Sequence, residues 1–496
     1  MVRHKDKNVW EFGDFQTPEN LALEVAKVVN KLGVTPGSVL EPTCGRGAFL
    51  LAACKIFSCV NKFVGVDINI EHLNYLKQRV IQEKFSKSID IINSNFFSLN
   101  WLNIINTLAD PLLIIGNPPW ITSSDLGVIG SYNLPQKSNF KRKDGYDALT
   151  GKSNFDISEW MLIKHLEWLK ERTGIIAMLC KTSVARKILI HVWQQKYRVV
   201  RSQIYCIDAI KNFNTSVDAC LLILQVGDGN LSINCDVFDN LYAQEASQTL
   251  GYAQNIIFSN IKDYQRWSNL QGIDSVYRWR SGLKHDCSKV MELTRQGDKY
   301  LNGYGKVYFL ERDYVYPLLK SSDVSNGRTS NSRKYVIVTQ RYLGEDTTYL
   351  KFDAPRVWEY LQNYREDLLK RSSSIYRNRP EFSIFGVGEY TFTPWKVAIS
   401  GFYKTLNFVE VGPINGQPVI FDDTVYFVPC WSKSEAYFIA GMLNSQPAKE
   451  FLESMIFWSD KRPITIELLK RLNLRVLAQV LNREEEYESY AKNHVV

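Results

Sequence analysis

Three features are missing from this sequence of 496 residues, and each absence excludes a class of protein. No run of about eighteen apolar residues occurs, so no membrane-spanning helix is predicted. The basic first residues, MVRHKDKNVW, lead into no apolar stretch of the kind that directs secretion. The nine cysteines include no Cys-x-x-Cys pair, so we expect reduced thiols in a cytoplasmic protein with no structural zinc or other metal site.

The residues that are present can form large cores. Hydrophobic residues make up 45% of the chain and aromatic residues 13%, which is typical of globular proteins. A chain of this length favours two domains over one. The net charge of +8 favours polyanionic partners, nucleic acid among them.

The two halves of the chain differ in pattern. Strands that alternate with helices predict a doubly wound α/β sheet over residues 1–245, whereas residues 246–496 are richer in aromatic residues and predict a separate, mixed α+β domain. We expect an amphipathic helix at 156–172 and glycine-punctuated β structure at 382–404. Further helices are predicted at 19–33 and 48–57, and strands at 38–42, 62–67, 89–93, 111–116, 174–180, 203–208 and 219–226.

A stiff corner follows one of these strands. The segment LLIIGNPPWI (112–121) is a buried-strand pattern that stops at Pro118 and Pro119, which fix the backbone and lack amide donors. The carboxyl edge of an α/β sheet is where ligands bind. The alternative is a surface loop that happens to be rich in proline.

A glycine loop lies near the amino terminus. In VLEPTCGRGAFLLAA (39–53), Gly45 and Gly47 allow a tight turn between a strand and a helix whose amino end can face a ligand. Leu50 occupies the position of the third glycine in a dinucleotide fingerprint, which argues against NAD and favours a smaller nucleoside ligand. Taken alone, this motif could equally be a structural turn.

Other strand ends carry polar and aromatic side chains. Asp67 ends the next strand, where a carboxylate can accept both hydroxyls of a ribose, although a helix cap or turn is the alternative. Asn95 and Phe96 offer an amide and a ring face for an adenine, although Phe96 could be a core residue. Thr17 precedes the first helix and could lie over the same pocket.

Together these segments resemble the gamma class of S-adenosyl-L-methionine-dependent N6-adenine DNA methyltransferases. FQTP (15–18), EPTCGRGAFL (41–50), VGVD (64–67) and GNPPW (116–120) are similar to the motifs of that class and follow its order. The resemblance covers residues 10–230 and implies a Rossmann-like catalytic domain, S-adenosyl-L-methionine as cofactor and a carboxyl-terminal target-recognition domain. The cofactor-binding residues that it implies are Thr17, Glu41, Thr43, Cys44, Gly45, Gly47, Asp67, Ile68, Asn95 and Phe96, with Asn95 standing where the class usually has Asp.

The resemblance also implies a catalytic set, Asn117, Pro118, Pro119 and Trp120. The Asn117 side-chain oxygen and the Pro118 carbonyl would accept the two N–H groups of an exocyclic amine, so that positioning and electrostatics supply the rate. The target base would leave the duplex stack and lie against Trp120, which replaces the commoner Tyr or Phe. Phe213 would supply the second stacking face, although core packing is its alternative role.

A neighbouring family motif and two basic segments complete the prediction. NFDIS (154–158) would place Asp156 near the pocket, and segments 277–289 and 364–380 are suited to DNA contacts, although either could be an ordinary solvated face. The candidate DNA-binding residues are Arg278, Arg280, Lys284, Lys289, Lys370, Arg371, Arg377 and Arg379.

The resemblance therefore predicts a site-specific N6-adenine methyltransferase that acts on double-stranded DNA without cutting it, the modification enzyme of a restriction–modification pair. A separate cognate endonuclease could act on the same site. One alternative is methylation of a protein glutamine, which predicts a shorter chain without the basic half. Another is a non-catalytic DNA-binding subunit with the same fold. Methylation of cytosine N4 is less favoured, because that group typically has Ser in place of Asn117.

Overall fold

The computed structural model describes residues 16–85, 87–122 and 156–494. The chain divides into two compact units, Met1–Ile261 and Lys262–Val496. The sequence pattern places the boundary at residue 245, and the division in the structure lies further along the chain. The reason is that two strands beyond residue 245 pair with the first sheet.

The first unit is built on a ten-stranded sheet in the order β10-β9-β8-β6-β7-β5-β4-β1-β2-β3. Strands β1 to β5 run parallel, whereas β7 is antiparallel to both of its neighbours. The strands are β1 (Ser38–Glu41), β2 (Lys62–Asp67), β3 (Ser88–Asn93), β4 (Leu112–Gly116), β5 (Gly174–Lys181), β6 (Val199–Ile207), β7 (Ala219–Val226), β8 (Asn234–Phe238), β9 (Gln248–Ala253) and β10 (Ile256–Phe258). The helices are α1 (Glu19–Asn30), α2 (Ala48–Ile56), α3 (Ile70–Glu83), α4 (Trp101–Ile105), α5 (Ile157–Trp168), α6 (Thr182–Gln195), α7 (Ala209–Phe213) and α8 (Ile261–Trp267), which crosses the division.

The centre of this sheet is buried on both faces. Every residue of β1 and β4 is buried, which explains why their sequences are continuous apolar runs rather than alternating ones. Because β1, β2, β3 and β4 are parallel, their carboxyl ends meet at one edge of the sheet. The expected Rossmann-like fold is confirmed, and that edge positions the candidate site.

The helix α5 differs from its predicted amphipathic character. It forms near the predicted position, and its buried residues include Ser158, Glu159 and His165 as well as apolar ones. Lys164 and Glu167 pair with each other at the surface (Nζ–Oε2 2.6 Å), whereas Glu159 turns inward and pairs with Lys187 (Oε2–Nζ 3.3 Å). The prediction is correct in placement, and the polar face of the helix is narrower than its sequence pattern indicates.

The second unit contains two small sheets, in the orders β11-β20-β17-β18 and β14-β13-β12-β16-β15-β19. All of its pairings are antiparallel except β15 with β19, which confirms the expected mixed α+β class. Within 382–404 the only strand is β17, so the expected β structure is limited to six residues. The strands are β11 (Arg280–Ser281), β12 (Glu292–Gln296), β13 (Lys299–Leu301), β14 (Val307–Tyr308), β15 (Val315–Leu319), β16 (Lys334–Ile337), β17 (Trp395–Ser400), β18 (Val409–Val411), β19 (Ile420–Phe421) and β20 (Val425–Cys430). The helices are α9 (Ser288–Met291), α10 (Ser321–Ser325), α11 (Leu350–Asp353), α12 (Pro355–Asn363), α13 (Arg365–Leu369), α14 (Lys433–Leu443), α15 (Gln446–Glu453), α16 (Ile466–Leu469), α17 (Leu474–Val480) and α18 (Glu484–Ala491).

The described residues also bear on membranes, thiols and metals. None of their helices combines the length and the apolar composition that a membrane crossing requires. All nine cysteines are free thiols. No group of three or more His, Cys, Asp or Glu side chains within the described ranges is arranged to hold a metal ion.

Candidate active site

A cavity opens at the carboxyl edge of the first sheet, between the loops that follow β1, β2, β3 and β4. It brings together residues that are far apart in the chain, since both Thr17 and Asn117 line it. The predicted residues that line it are Thr17, Glu41, Thr43, Cys44, Gly45, Asp67, Ile68, Phe96, Asn117 and Pro119. Gly47, Asn95, Pro118 and Trp120 are adjacent in sequence to lining residues without being part of the lining.

The glycine loop between β1 and α2 requires glycine at two places. Gly45 and Gly47 have φ values of 49° and 81°, in the left-handed region that residues with a Cβ rarely adopt. At Gly47, the amino-terminal cap of α2, a Cβ would also overlap the side chain of Leu76. At Gly45 it would lie 3.2 Å from the Gln16 amide. Because these two positions are glycine, no side chain separates the loop backbone from the cavity.

Asp67 braces this loop. One carboxylate oxygen, Oδ2, accepts the Gly45 amide at 2.8 Å, and the other, Oδ1, accepts the Asn69 amide at 2.8 Å. Asn69 in turn caps α3 by accepting the amide of Glu71 at 2.9 Å. The turn role that the sequence left open is thus present, because both carboxylate oxygens accept main-chain amides.

Glu41 has an inward role at the start of α2. Its side chain is 2% exposed, and Oε2 accepts the Leu50 amide at 2.8 Å. Burial raises the pKa of the Glu41 carboxyl well above its ordinary value. Burial likewise raises the pKa of the neighbouring Cys44 thiol, which makes that thiol a poor nucleophile.

The loop after β3 combines the two roles that the sequence left open. Asn95 Oδ1 accepts the Phe97 amide at 2.8 Å, so this oxygen shapes the loop. Phe96 lines the cavity and is also packed against Trp101 and Trp168, with ring centroids 4.9 and 5.8 Å away. Its ring is therefore held rigidly by core contacts at the edge of the cavity.

The corner after β4 leaves one acceptor without a donor. Asn117 Nδ2 donates to Thr17 Oγ1 at 3.3 Å. Asn117 Oδ1 is buried and has no hydrogen-bond partner among the residues that the structure describes. A buried acceptor of this kind is costly unless something donates to it. A ligand N–H group in the cavity would satisfy it, so the residues present fit a bound amine.

The two candidate stacking residues lie in contact with each other. The Trp120 and Phe213 rings meet edge to face with centroids 5.2 Å apart, and Trp120 Nε1 donates to the Leu179 carbonyl at 3.4 Å. Phe213 also belongs to the buried core of the first unit. The structure therefore brings these residues together, and the expected stacking of a base stays a prediction.

The basic residues of segment 277–289 in the second unit differ in exposure. Arg278 and Lys289 are exposed. Arg280 is half-buried, with its guanidinium 4.3 Å from the centroid of the Tyr390 ring. Lys284 is also half-buried and pairs with a neighbouring carboxylate, that of Asp286, at 3.6 Å.

Segment 364–380 shows the same division. Lys370, Arg377 and Arg379 are exposed. Arg371 instead turns inward and donates to the carbonyl oxygens of Leu368 at 2.8 Å and Ser383 at 2.7 Å. Burial lowers the pKa of its guanidinium. Arg371 therefore has a structural role within the second unit.

Some cavity residues escaped the sequence analysis. Asn69, His72 and Met161 line the cavity without having been singled out. Asn69 could have been found, because an asparagine two residues after a strand end and just before a helical pattern is a typical amino-terminal cap. Met161 lies on α5, and no local signal connects it with the strand ends.

Comparisons with known proteins place the chain among methyltransferases. No family model matches it. It is 43% identical over 484 residues to the type II methyltransferase M.NspV of Nostoc sp. (strain ATCC 29411 / PCC 7524), which covers 97% of this chain and 100% of that relative. Among solved structures, the type IIL restriction-modification enzyme MmeI in complex with DNA superimposes with a TM-score of 0.52 at 13% identity over 94% of this chain. The present chain spans 65% of the length of MmeI, and at this identity the likeness supports the fold alone.

Proposed function

This chain belongs to the type II methyltransferases of restriction–modification systems, and we propose that it methylates the exocyclic N6 of adenine in duplex DNA. S-adenosyl-L-methionine is the methyl donor of this family and therefore the cofactor of this chain. The observation that carries the adenine proposal is the unpartnered, buried Asn117 Oδ1 at the cavity edge. An amine N–H is the donor that this oxygen lacks.

The proposed chemistry needs acceptors rather than a metal or a covalent nucleophile. The lone pair of an exocyclic aromatic amine is delocalised into the ring, so the amine is a weak nucleophile. Asn117 Oδ1 and the Pro118 carbonyl oxygen would each accept one of its N–H groups and favour a more pyramidal nitrogen. The bound cofactor supplies an electrophilic methyl group on sulfur. Asn117 and Pro118 then accelerate the transfer by positioning the amine.

The cofactor would be held by the glycine loop and the adjoining strand ends. The main chain at Gly45 and Gly47 allows close approach, and the Asp67 carboxylate, which braces the loop, would accept the ribose hydroxyls. Phe96 offers a ring edge fixed by its core contacts. The other residues proposed to hold the cofactor are Thr17, Glu41, Thr43, Cys44, Ile68 and Asn95.

The target base would have to leave the duplex to reach Asn117. We expect it to stack on Trp120. Because Trp120 and Phe213 contact each other edge to face, a base could lie between them only if the two rings separated. Base entry is therefore expected to move one of these rings, and Phe213 is the more firmly packed of the two.

The second unit would supply target recognition. Its exposed cations Arg278, Lys289, Lys370, Arg377 and Arg379 are suited to phosphate contacts. Site-specific methylation would protect the same sequence from a separate cognate endonuclease. The cytoplasmic location inferred from the cysteines stays a prediction.

The test is methyl transfer from tritiated S-adenosyl-L-methionine to duplex DNA, followed by nucleoside analysis. We expect N6-methyladenine from the wild type, its loss in Asn117→Ala, and its retention in Asn103→Ala, an exposed asparagine on α4. Formation of N4-methylcytosine would show that the methylated base is cytosine and not adenine. Transfer to protein extract but to no duplex would favour glutamine methylation, and DNA binding without any transfer would favour a non-catalytic subunit.

A further inference from the structure

An ion pair lies beside the catalytic corner, and nothing in the proposed chemistry uses it. Lys181 Nζ and Asp156 Oδ2 are 2.7 Å apart, with the Asp156 side chain 7% exposed and that of Lys181 23% exposed. We infer that Lys181 is a positioning residue for methyl transfer, which holds the corner Asn117–Trp120 in place through Asp156. This inference rests on the proposed function.

Asp156 is firmly fixed in its own right. Its other oxygen, Oδ1, accepts both the amide of Ser158 at 3.1 Å and the hydroxyl of Ser158 at 2.6 Å. A buried carboxylate is costly unless it is paired and hydrogen-bonded. The Lys181 ammonium is therefore the paired charge that a carboxylate buried at this position requires.

The main chain at Asp156 is joined to the end of the catalytic corner. Asp156 forms an antiparallel bridge with Thr122, and the Ile157 amide donates to the Ile121 carbonyl at 2.9 Å. Ile121 directly follows Trp120 in the chain. A displacement of Asp156 would consequently be transmitted to the residues that carry the acceptors.

The same corner is attached to β5 at a second point. Trp120 Nε1 donates to the carbonyl of Leu179, two residues before Lys181 on the same strand. The carboxyl end of β5 thus contacts the corner directly at Trp120 and indirectly through the Lys181–Asp156 pair. Two attachments to the same strand fix both the orientation of the corner and its distance from β5.

Asn117 depends on this support because its own side chain is weakly held. Within the described residues it has the 3.3 Å bond to Thr17, and its Oδ1 has no partner. A displacement of about 1 Å at a reacting group costs about 10²-fold in rate. Loss of the ion pair should therefore lower the rate of transfer far more than it lowers cofactor binding.

The experiment compares Lys181→Met, Lys181→Arg and Asp156→Asn in the full chain. The matched control is Lys187→Met, which breaks a different ion pair, Lys187–Glu159 at 3.3 Å, that joins α6 to α5. For each variant the melting temperature, cofactor binding by titration, and kcat and KM for DNA are measured with tritiated S-adenosyl-L-methionine.

We expect Lys181→Met to lower kcat by about 10²-fold with cofactor binding and KM unchanged. Lys181→Arg should recover most of the lost rate, and Lys187→Met should behave as wild type. Asp156→Asn keeps the side-chain volume and should lower kcat as much as Lys181→Met does. If Lys181→Met fails to fold, the kcat of Asp156→Asn tests the inference instead. A wild-type kcat in Lys181→Met, or equal losses in Lys181→Met and Lys181→Arg, would overturn the inference. An inactive wild-type protein would instead overturn the proposed function.

Discussion

The two units keep their polar groups in different places. In the first unit the candidate site lies where parallel strands end, and Glu41, Asp67 and Asn117 are fixed there by the sheet. In the second unit the candidate DNA-binding residues lie in one short strand, a one-turn helix and loops, and Arg371 turns inward while Arg377 stays exposed. A sheet edge therefore specifies a site by topology, whereas a recognition surface depends on the orientation of each side chain.

The largest expected effect concerns Asn117. Asn117→Ala removes an acceptor that contributes only when the amine is bound, so kcat should fall by about 10²- to 10³-fold, by analogy with the loss of one oriented hydrogen-bonding group at an active site. Cofactor affinity should be unchanged, since the glycine loop and Asp67 remain. Single-turnover kinetics and cofactor titration measure the two quantities separately. A parallel loss of cofactor affinity would mean that Asn117 also holds the cofactor loops.

The next effect compares one glycine in each unit. Gly47→Ala places a Cβ in the left-handed region and against Leu76, whereas Gly297→Ala in the second unit, at φ 62°, meets nothing within 4 Å. The backbone conformation alone costs about 1–2 kcal/mol. Gly297→Ala should lose about that much stability, and Gly47→Ala should lose more and also weaken cofactor binding. Urea unfolding and cofactor titration of both variants provide the comparison, and equal losses would contradict the packing argument.

These differences also show how far the sequence could predict the structure. The bounds predicted for β2 and β7 match the observed strands, because continuous apolar runs can be satisfied only in the middle of a covered sheet. The helix α3 was not predicted, although Leu73, Leu76 and Val80 are spaced as one face of a helix and Asn69 caps its amino end. Only Leu73 and Leu76 of this helix are buried, so most of its surface is polar.

The site shows the same limit. Its strand-end residues followed from motif order, but the inward turn of Arg371 did not, because its carbonyl acceptors at Leu368 and Ser383 are main-chain atoms with no sequence signature. The pairing of Lys181 with Asp156 was equally hidden, as the two residues are 25 positions apart and belong to different elements. Side-chain identity specified the chemistry, and packing specified which groups were available for it.

A buried imidazole provides a third test. His165 is 0% exposed, neither ring nitrogen has a hydrogen bond within the described residues, and burial lowers its pKa to about 3. The unfolded chain binds a proton near pH 6.5, whereas the folded chain does so only near pH 3. Stability is therefore lost as the pH falls between these values, by about 1.4 kcal/mol per pH unit.

His165→Phe should remove this acid sensitivity. It also removes a buried unpartnered polar group, so stability at pH 7 should rise by about 1–3 kcal/mol, less any cost of fitting the larger ring beside Phe96 and Trp168. Urea unfolding of the wild type and the variant at pH 7 and pH 5 measures both effects. An equal loss of stability in the two proteins between these pH values would show that other groups account for the acid sensitivity.

The smallest effect tests which arginines of segment 364–380 reach DNA. Arg377→Ala and Arg379→Ala remove exposed cations, so each should reduce the slope of log affinity against log salt by about 1 and leave the unfolding free energy unchanged. Arg371→Ala removes donors to three main-chain carbonyls and should destabilise the protein, with little change in that slope when binding is measured on the folded fraction. DNA titrations at several salt concentrations, paired with urea unfolding, separate the two outcomes. If Arg371→Ala changed the slope as much as Arg377→Ala, its inward contacts would have to open on binding, and orientation in the free protein would no longer identify the recognition surface.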